Sequence, residues 1–446
     1  MANVGGRNLT HFEKASKLGH INLIESDWVK EILNELESDD LYNEDMYDST
    51  VWTKHRLGNE QMLEHIWVVD GSYAEIKENK KEVCFIKTAL MTINQNKISK
   101  IDKLFPHPMD VKEINTDSAL FHCTVLPLKN LRGKDGNLYN TVRHIIYDSI
   151  KNDAEGIYFE TLKWLVYKKW NDSHNCNSPA FFCPHCNKEV IEGFPYDKDT
   201  WTCPHCNNEI YLTDMLGFHQ DMDDDFANLK VATSYMSIME HLMLFTAIRI
   251  HWNDNQKDLI SNTLYIKDGP LLLGSQFAKL VPYIRDFVKF ALEQNREPHI
   301  IGCEKSGTFF DYLNIISKFV NVESGYIKYM IPSHEFIRKN IQRMPNADND
   351  YGIRTNWGEK VYVVIDRTMH LTLNIIPREY KKGKEFPGAN DIVGIGRILE
   401  TIPALISRQY EGALYPINLV NGIVSMSNYP SSNILTAFTR DKLKDK

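Results

Sequence analysis

Between residues 66 and 128 the chain carries three β-branched and aromatic runs, at 66–76, 83–93 and 118–128, separated by polar turns. Runs of this kind read as strands, and short connections between them favour antiparallel pairing. Residues 141–170 follow a helical pattern that ends in Trp164, Leu165, Tyr167 and Trp170. A long apolar helix is predicted over 228–252, then a strand at 263–267, an amphipathic helix at 276–294 and a strand at 299–303. Strand–helix–strand order implies a parallel pair joined by a crossover. Residues 360–376 are β-rich with a break near Arg367, and 392–407 read as a helix. Before about residue 60 the pattern is helical: Trp28, Ile32, Leu33 and Leu36 form an apolar stripe beside the dense acids between Glu31 and Asp48, which read as a solvated face. The pattern contains no internal repeat and no low-complexity tract.

These elements divide the chain into an N-terminal helical region (1–60), a first β-rich part (61–140), a helical insert (141–227) and a second α/β part (228–446). The composition is that of a globular domain. No apolar run is read as long enough to span a bilayer, and the first twenty residues lack a secretory core segment. A cytoplasmic location, reduced thiols and no membrane contact are therefore expected. The net charge of −8 argues against a chain-wide electrostatic grip on nucleic acid, leaving room only for a local basic track.

The most specific motif is a pair of knuckles, Cys183-Pro184-His185-Cys186 and Cys203-Pro204-His205-Cys206, with sixteen residues between them. Four thiolates at this spacing predict a closed tetrahedral Zn²⁺ site, a zinc ribbon over about 181–212, with no open position for catalysis. His185 and His205 read as exposed spectators. Trp201, Phe181 and Phe182 read as packing for a small core, and Cys176 as a spare thiol. Cys84 and Cys123 read as small buried groups within strands. The acidic connector Asp221-Met222-Asp223-Asp224-Asp225 reads as a solvated linker.

Two phrases carry candidate chemistry: Val68-Val69-Asp70-Gly71-Ser72 and Tyr265-Ile266-Lys267-Asp268-Gly269-Pro270. Each is an apolar run that ends in Asp-Gly. An ordinary turn explains either phrase taken singly. The order of elements, however, is three antiparallel strands, a helix, a parallel strand, a helix and a parallel strand. That is the order of a ribonuclease H-like core, in which the first strand lies beside the fourth. The expected fold is thus α/β: a ribonuclease H-like mixed sheet with flanking helices and an inserted four-cysteine zinc ribbon. Asp70 and Asp268 would then converge at the carboxyl edges of neighbouring strands. Glu240 is the single carboxylate on the long apolar helix, either at an exposed edge or turned toward a cation. Such carboxylates suit Mn²⁺ or Mg²⁺, and two ions about 4 Å apart would activate water and stabilise a leaving oxygen.

Residues 66–73 (IWVVDGSY), 263–271 (TLYIKDGPL), 300–308 (IIGCEKSGT) and Tyr415-Pro416-Ile417-Asn418-Leu419 resemble the NurA-domain nucleases. The resemblance runs from about residue 60 to the end, interrupted by the ribbon. It implies a ribonuclease H-like, manganese-dependent, dimeric DNA nuclease that resects 5′ ends, cuts single strands and works with a HerA-type hexameric ATPase in repair or antiviral defence. It implies that Asp70 and Asp268 are metal ligands, that Glu240 matches a helical glutamate by position, and that Lys305 stands where a basic residue meets phosphate. A solvated loop lysine is the plain alternative for Lys305. The family histidine after the Tyr-Pro element is missing: the stretch reads Val420-Asn421-Gly422-Ile423. Asp366 and His370 are the candidates to replace it, with a plain strand-edge role the simpler reading for both. The competing function is a nucleic-acid-binding or assembly subunit of a translocase complex with little nuclease activity of its own.

Overall fold

In the computed structural model, the described residues are 25–35, 48–102, 119–134, 136–171, 176–222, 228–254, 256–274, 276–344, 351–380, 387–408, 412–426 and 431–443. The chain forms two compact units, residues 1–46 and 47–446. The described part of the first is helix α1 (Asp27–Glu35), which buries none of its residues. Leu36 and most of the acidic run lie outside the described residues.

The second unit is built on one nine-stranded mixed sheet. Its strands are β1 (Thr53–Arg56), β2 (His65–Glu78), β3 (Lys81–Asn94), β4 (Ala119–Lys129), β9 (Thr263–Asp268), β10 (His299–Glu304), β11 (Tyr326–Met330), β12 (Glu359–Asp366) and β13 (Met369–Ile375). The short strands β5 (Phe181–Phe182), β6 (Glu189–Val190), β7 (Thr200–Thr202) and β8 (Glu209–Tyr211) form two separate hairpins. The order across the large sheet is β1-β11-β12-β13-β10-β9-β2-β3-β4. The β2–β9 and β9–β10 pairs are parallel and the other pairs are antiparallel. The first strand of the predicted meander, β2, therefore lies beside β9.

Helices cover both faces of the sheet. One core combines Val69, Tyr265 and Ile300 with α2 (Leu138–Asn152), α3 (Ile157–Val166), α4 (Leu229–Asn253) and α5 (Val281–Glu293). The other combines Ile66, Val68, Leu264, Ile266 and Ile301 with α7 (Ile395–Leu405) and α8 (Tyr415–Val424). Helix α6 (Thr308–Ile316) follows β10, and α9 (Ser431–Leu443) closes the described chain. Burial on both faces explains why β9 and β10 read as continuous apolar runs.

Several expectations need correction. Helix α4 is long and apolar enough to cross a bilayer, which the sequence reading denied; 78% of its most apolar window is buried inside the protein. The predicted helix over 141–170 is two helices, because Ala154, Glu155 and Gly156 all take positive φ. There the Asp153 carboxylate meets the buried ring of His122 at 2.5 Å. Residues 53–56, expected to be helical, pair as a strand with β11. Cys123 is exposed rather than buried, on edge strand β4, with Phe121 and Val125 exposed two positions to either side.

Candidate functional site

Neighbouring strands bring two carboxylates together. The β2–β9 register ends with Val69 opposite Lys267, so the next residues, Asp70 and Asp268, stand side by side. By strand alternation both share the face of Ile66, Val68, Leu264 and Ile266. Asp268 ends β9, and Gly269 follows with φ +82° and donates its N–H to the Cys303 carbonyl at 2.8 Å. Asp70 differs from expectation, because it does not end its strand. β2 runs on to Glu78, held by β3, and turns only at Asn79 and Lys80, both with positive φ. Asp70-Gly71 is therefore the point where β9 leaves β2, and no turn forms there.

Glu240 comes from α4, in the opposite layer, and is buried. Gly71 lets it approach: a Cβ there would stand 2.8 Å from Glu240 Oε1 and 2.8 Å from Met236 Cγ. The other oxygen, Oε2, lies 2.7 Å from Lys267 Nζ. Lys267 is itself buried, and its ammonium also donates to the Asp268 carbonyl at 2.7 Å. Its role is not apparent from the Asp-Gly phrase that contains it. The available signal was a charged residue inside an apolar strand, at a position that alternation places with Tyr265 toward α4. Lys305 belongs to the site, with Nζ 2.8 Å from Asp268 Oδ2.

The electrostatics are uneven. Lys267 compensates Glu240 and Lys305 compensates Asp268. Asp70 is 4% exposed; its Oδ1 accepts from the Gly71 N–H at 2.7 Å, and its Oδ2 is buried with no hydrogen-bond partner among the described residues. Burial, then the charges of Asp268 and Glu240, push the Asp70 carboxyl up to about 8. Burial also raises Glu240, against the pull of Lys267. An orphaned carboxylate oxygen among acids and an all-oxygen donor set fit a hard divalent cation.

Of the candidates near the late hairpin, Asp366 pairs with Arg408 at 2.7 Å and accepts from the Thr368 N–H at 2.8 Å. His370 is buried, with its ring 5.8 Å from that of Phe310. Tyr415 and Pro416 open α8 and are buried. The far end of α8 lies over β3, where the Lys87 ammonium donates to the Ile423 carbonyl at 2.8 Å. Asp221 pairs with Lys230 at 2.7 Å, and residues 223–225 of the acidic connector lie outside the described residues.

The second candidate centre is the cysteine quartet. The ligand atoms of Cys183, Cys186, Cys203 and Cys206 all lie within 4.8 Å of one another. Cys183–Cys206 and Cys186–Cys203 sulfurs are 3.8 and 4.0 Å apart. A tetrahedron with metal–sulfur bonds of about 2.3 Å has edges of about 3.8 Å, whereas a disulfide would need about 2.05 Å. The quartet is thus spaced to hold a metal ion. Cys176 stands apart from it, its thiol directed at the Val166 carbonyl.

The knuckles are copies of each other, a repeat the sequence reading missed. CPHCNKEV and CPHCNNEI differ only at Lys188/Asn208 and Val190/Ile210. Their hairpins share one register: Phe181 opposite Val190, and Trp201 opposite Ile210. In each, the histidine N–H points at the first cysteine sulfur at 3.4 Å. His185 and His205 are exposed and outside the quartet, as expected, but their rings are engaged. His185 Nε2 meets the Glu209 carbonyl at 3.0 Å, and His205 Nε2 meets the Glu189 carbonyl at 3.0 Å, so each knuckle clasps the other's hairpin. Arg143 fixes this unit to α2 through Asp214 at 2.7 Å and the Glu209 carbonyl at 3.0 Å.

No protein-family model and no curated protein matches the chain. Among solved structures, the NurA nuclease from Sulfolobus solfataricus aligns over 97% of this chain and 98% of that one, at 9% identity and a TM-score of 0.35. A second NurA structure aligns over 96% and 97%, at 11% identity and a TM-score of 0.30. A NurA structure bound to dAMP and manganese aligns over 95% and 96%, at 11% identity and a TM-score of 0.27. Scores at this level leave the fold and the site to rest on this chain's own geometry.

Proposed function

We propose that this chain is a divalent-metal-dependent DNA nuclease with a ribonuclease H-like core. One observation carries the reading: Asp70 and Asp268 sit side by side on parallel strands, with a buried Asp70 oxygen that has no partner of its own. The strand order β4-β3-β2-β9-β10 supports the ribonuclease H-like part. Asp70 and Asp268 would hold Mn²⁺ or Mg²⁺, which when bound supplies Lewis acidity and an acidified water for phosphodiester hydrolysis, with Oε1 of Glu240, across Gly71, as a further candidate ligand. Lys305, at the partly exposed rim beside Asp268, is placed to meet a phosphate oxygen. Lys267 fixes the orientation of Glu240. The choice of DNA rests on the motif resemblance given above. The direct test incubates the purified protein with linear and circular DNA in Mn²⁺, Mg²⁺ or EDTA. Cleavage only with the cations supports the reading, and cleavage that survives EDTA refutes it.

Three parts of the reading extend beyond this site. The cysteine quartet holds structural Zn²⁺, supported by its sulfur spacing and clasped knuckles. The chain acts as a cytoplasmic homodimer on a HerA-like hexameric ATPase, supported by the motif resemblance and by the net charge of −8, which gives poor purchase on duplex DNA. Its biological setting is end resection in repair or destruction of invading DNA.

A further inference from the structure

We propose that a cleft beside α5, separate from the carboxylate site, binds a mononucleotide. The cleft has a volume of about 190 Å³. A cavity of about 150 Å³ already takes a benzene-sized ring, so there is room for one nucleobase. Val288, Trp357, Pro377 and Tyr380 supply apolar and aromatic walls. Arg285 and Lys289 supply positive charge from successive turns of α5. Such walls beside cations suit a flat ring that carries an anionic group.

The two cations lack counter-ions. Like charges at i and i+4 repel along a helix, yet neither Arg285 nor Lys289 has an ion pair among the described residues. Asp286 turns instead to Lys168 at 2.6 Å, and Arg378, also at the rim, pairs with Glu297 at 2.6 Å. Glu379, the other acid of the lining, is exposed. The Arg285 guanidinium lies 3.6 Å from the centre of the Tyr380 ring and donates to the Ile353 and Asn356 carbonyls. Its Nε is buried without an acceptor. Burial lowers its hold on the proton, against weaker pulls from Tyr380 and Glu359. In a chain of net charge −8, two unpaired cations at one cleft mark a place for an anion. The choice of a nucleotide among flat anions rests on the nuclease reading, whose products are nucleotides; the anion site itself does not.

The test measures binding and not cleavage. Arg285 also holds the segment that the N–H groups of Leu273 and Trp357 join to the loop after Asp268, so Lys289, exposed and unpaired, is the residue to change. Calorimetry in mild EDTA, which keeps the carboxylate site empty, compares thymidine monophosphate, thymidine and inorganic phosphate. Wild type should bind one thymidine monophosphate per chain, and the two fragments at least about tenfold more weakly. Lys289→Glu, shown folded by thermal unfolding, should weaken the nucleotide at least about tenfold. Asp70→Ala and Asp268→Ala should bind it as wild type does. No binding to wild type, or equal affinity in Lys289→Glu, would overturn the site. Phosphate bound as tightly as the nucleotide would overturn the nucleotide assignment. Loss of binding in a folded Asp70→Ala or Asp268→Ala variant would place the nucleotide at the carboxylates and overturn a separate site, while leaving the nuclease reading intact.

Discussion

Asp70 is the residue on which the site turns, and its environment makes a prediction about pH. Its carboxyl stands near 8 in the metal-free fold, against an ordinary value of 3.8, chiefly because it is buried and then because Asp268 and Glu240 face it. Lys305 pulls weakly the other way. Between these two values the folded protein keeps a proton that the unfolded chain releases. The stability associated with this group is therefore fully present below pH 3.8, and is lost as the pH climbs to about 8. Asp70→Asn should flatten that slope and raise metal-free stability at pH 8 by about 1–3 kcal/mol, the usual cost of a buried unsatisfied polar group. Chemical denaturation of metal-free wild type and variant at pH 5 and pH 8 measures the difference. An unchanged slope would mean that Asp70 does not carry the strained proton.

At the level of elements, the two knuckles and α4 do different work. The knuckle hairpins set Phe181, Val190, Phe194 and Ile210 into the core and are joined to each other by the cysteine quartet and two histidine clasps, so a bound metal is expected to add to their order. Zinc should be present at one ion per chain and survive mild EDTA that strips the harder carboxylate site. His185→Ala and His205→Ala should each hasten zinc release to a chromogenic chelator several-fold, because each removes a ring-to-carbonyl bond between the hairpins. Equal release rates in wild type and both variants would return the histidines to bystanders. Helix α4 instead gains its place by apolar burial. Phe245, fully buried between the rings of Phe287 and Trp357, should cost about 3–5 kcal/mol when replaced by alanine. A loss under 1 kcal/mol in urea unfolding would contradict the packing described.

The same elements show what was legible beforehand. The β2–β3–β4 meander, α4, β9 and β10 follow from alternation and apolar runs, so the adjacency of Asp70 and Asp268 could be anticipated. What escaped depends on neighbours distant in sequence. Lys267 is an oddity in a strand until α4 delivers Glu240 against it. The knuckle histidines bond carbonyls in the opposite hairpin, which spacing within one knuckle does not reveal. Strands β1 and β11 are short and pair with each other across about 270 residues, beyond the reach of local periodicity. Asp70-Gly71 carried a turn signal that β3 overrode by pairing straight through it.

For the whole molecule, the net charge of −8 gives poor purchase on duplex DNA, which is what motivates the proposed ATPase partner. Sedimentation with a HerA-type ATPase should show a complex larger than the protein alone, with faster degradation of long duplexes. A monomer that degrades long DNA unaided and ignores the ATPase would remove that part of the proposal. The central claim, however, is that a cation held between β2 and β9 hydrolyses DNA. The most direct measurement compares wild type with Asp70→Ala and Asp268→Ala on linear single-stranded DNA in Mn²⁺, after thermal unfolding and zinc content show all three proteins folded. The account predicts Mn²⁺-dependent cleavage by wild type and a loss of at least about a hundredfold in each variant, since each removes a ligand from a site with few to spare. Wild-type rates in either folded variant would contradict it.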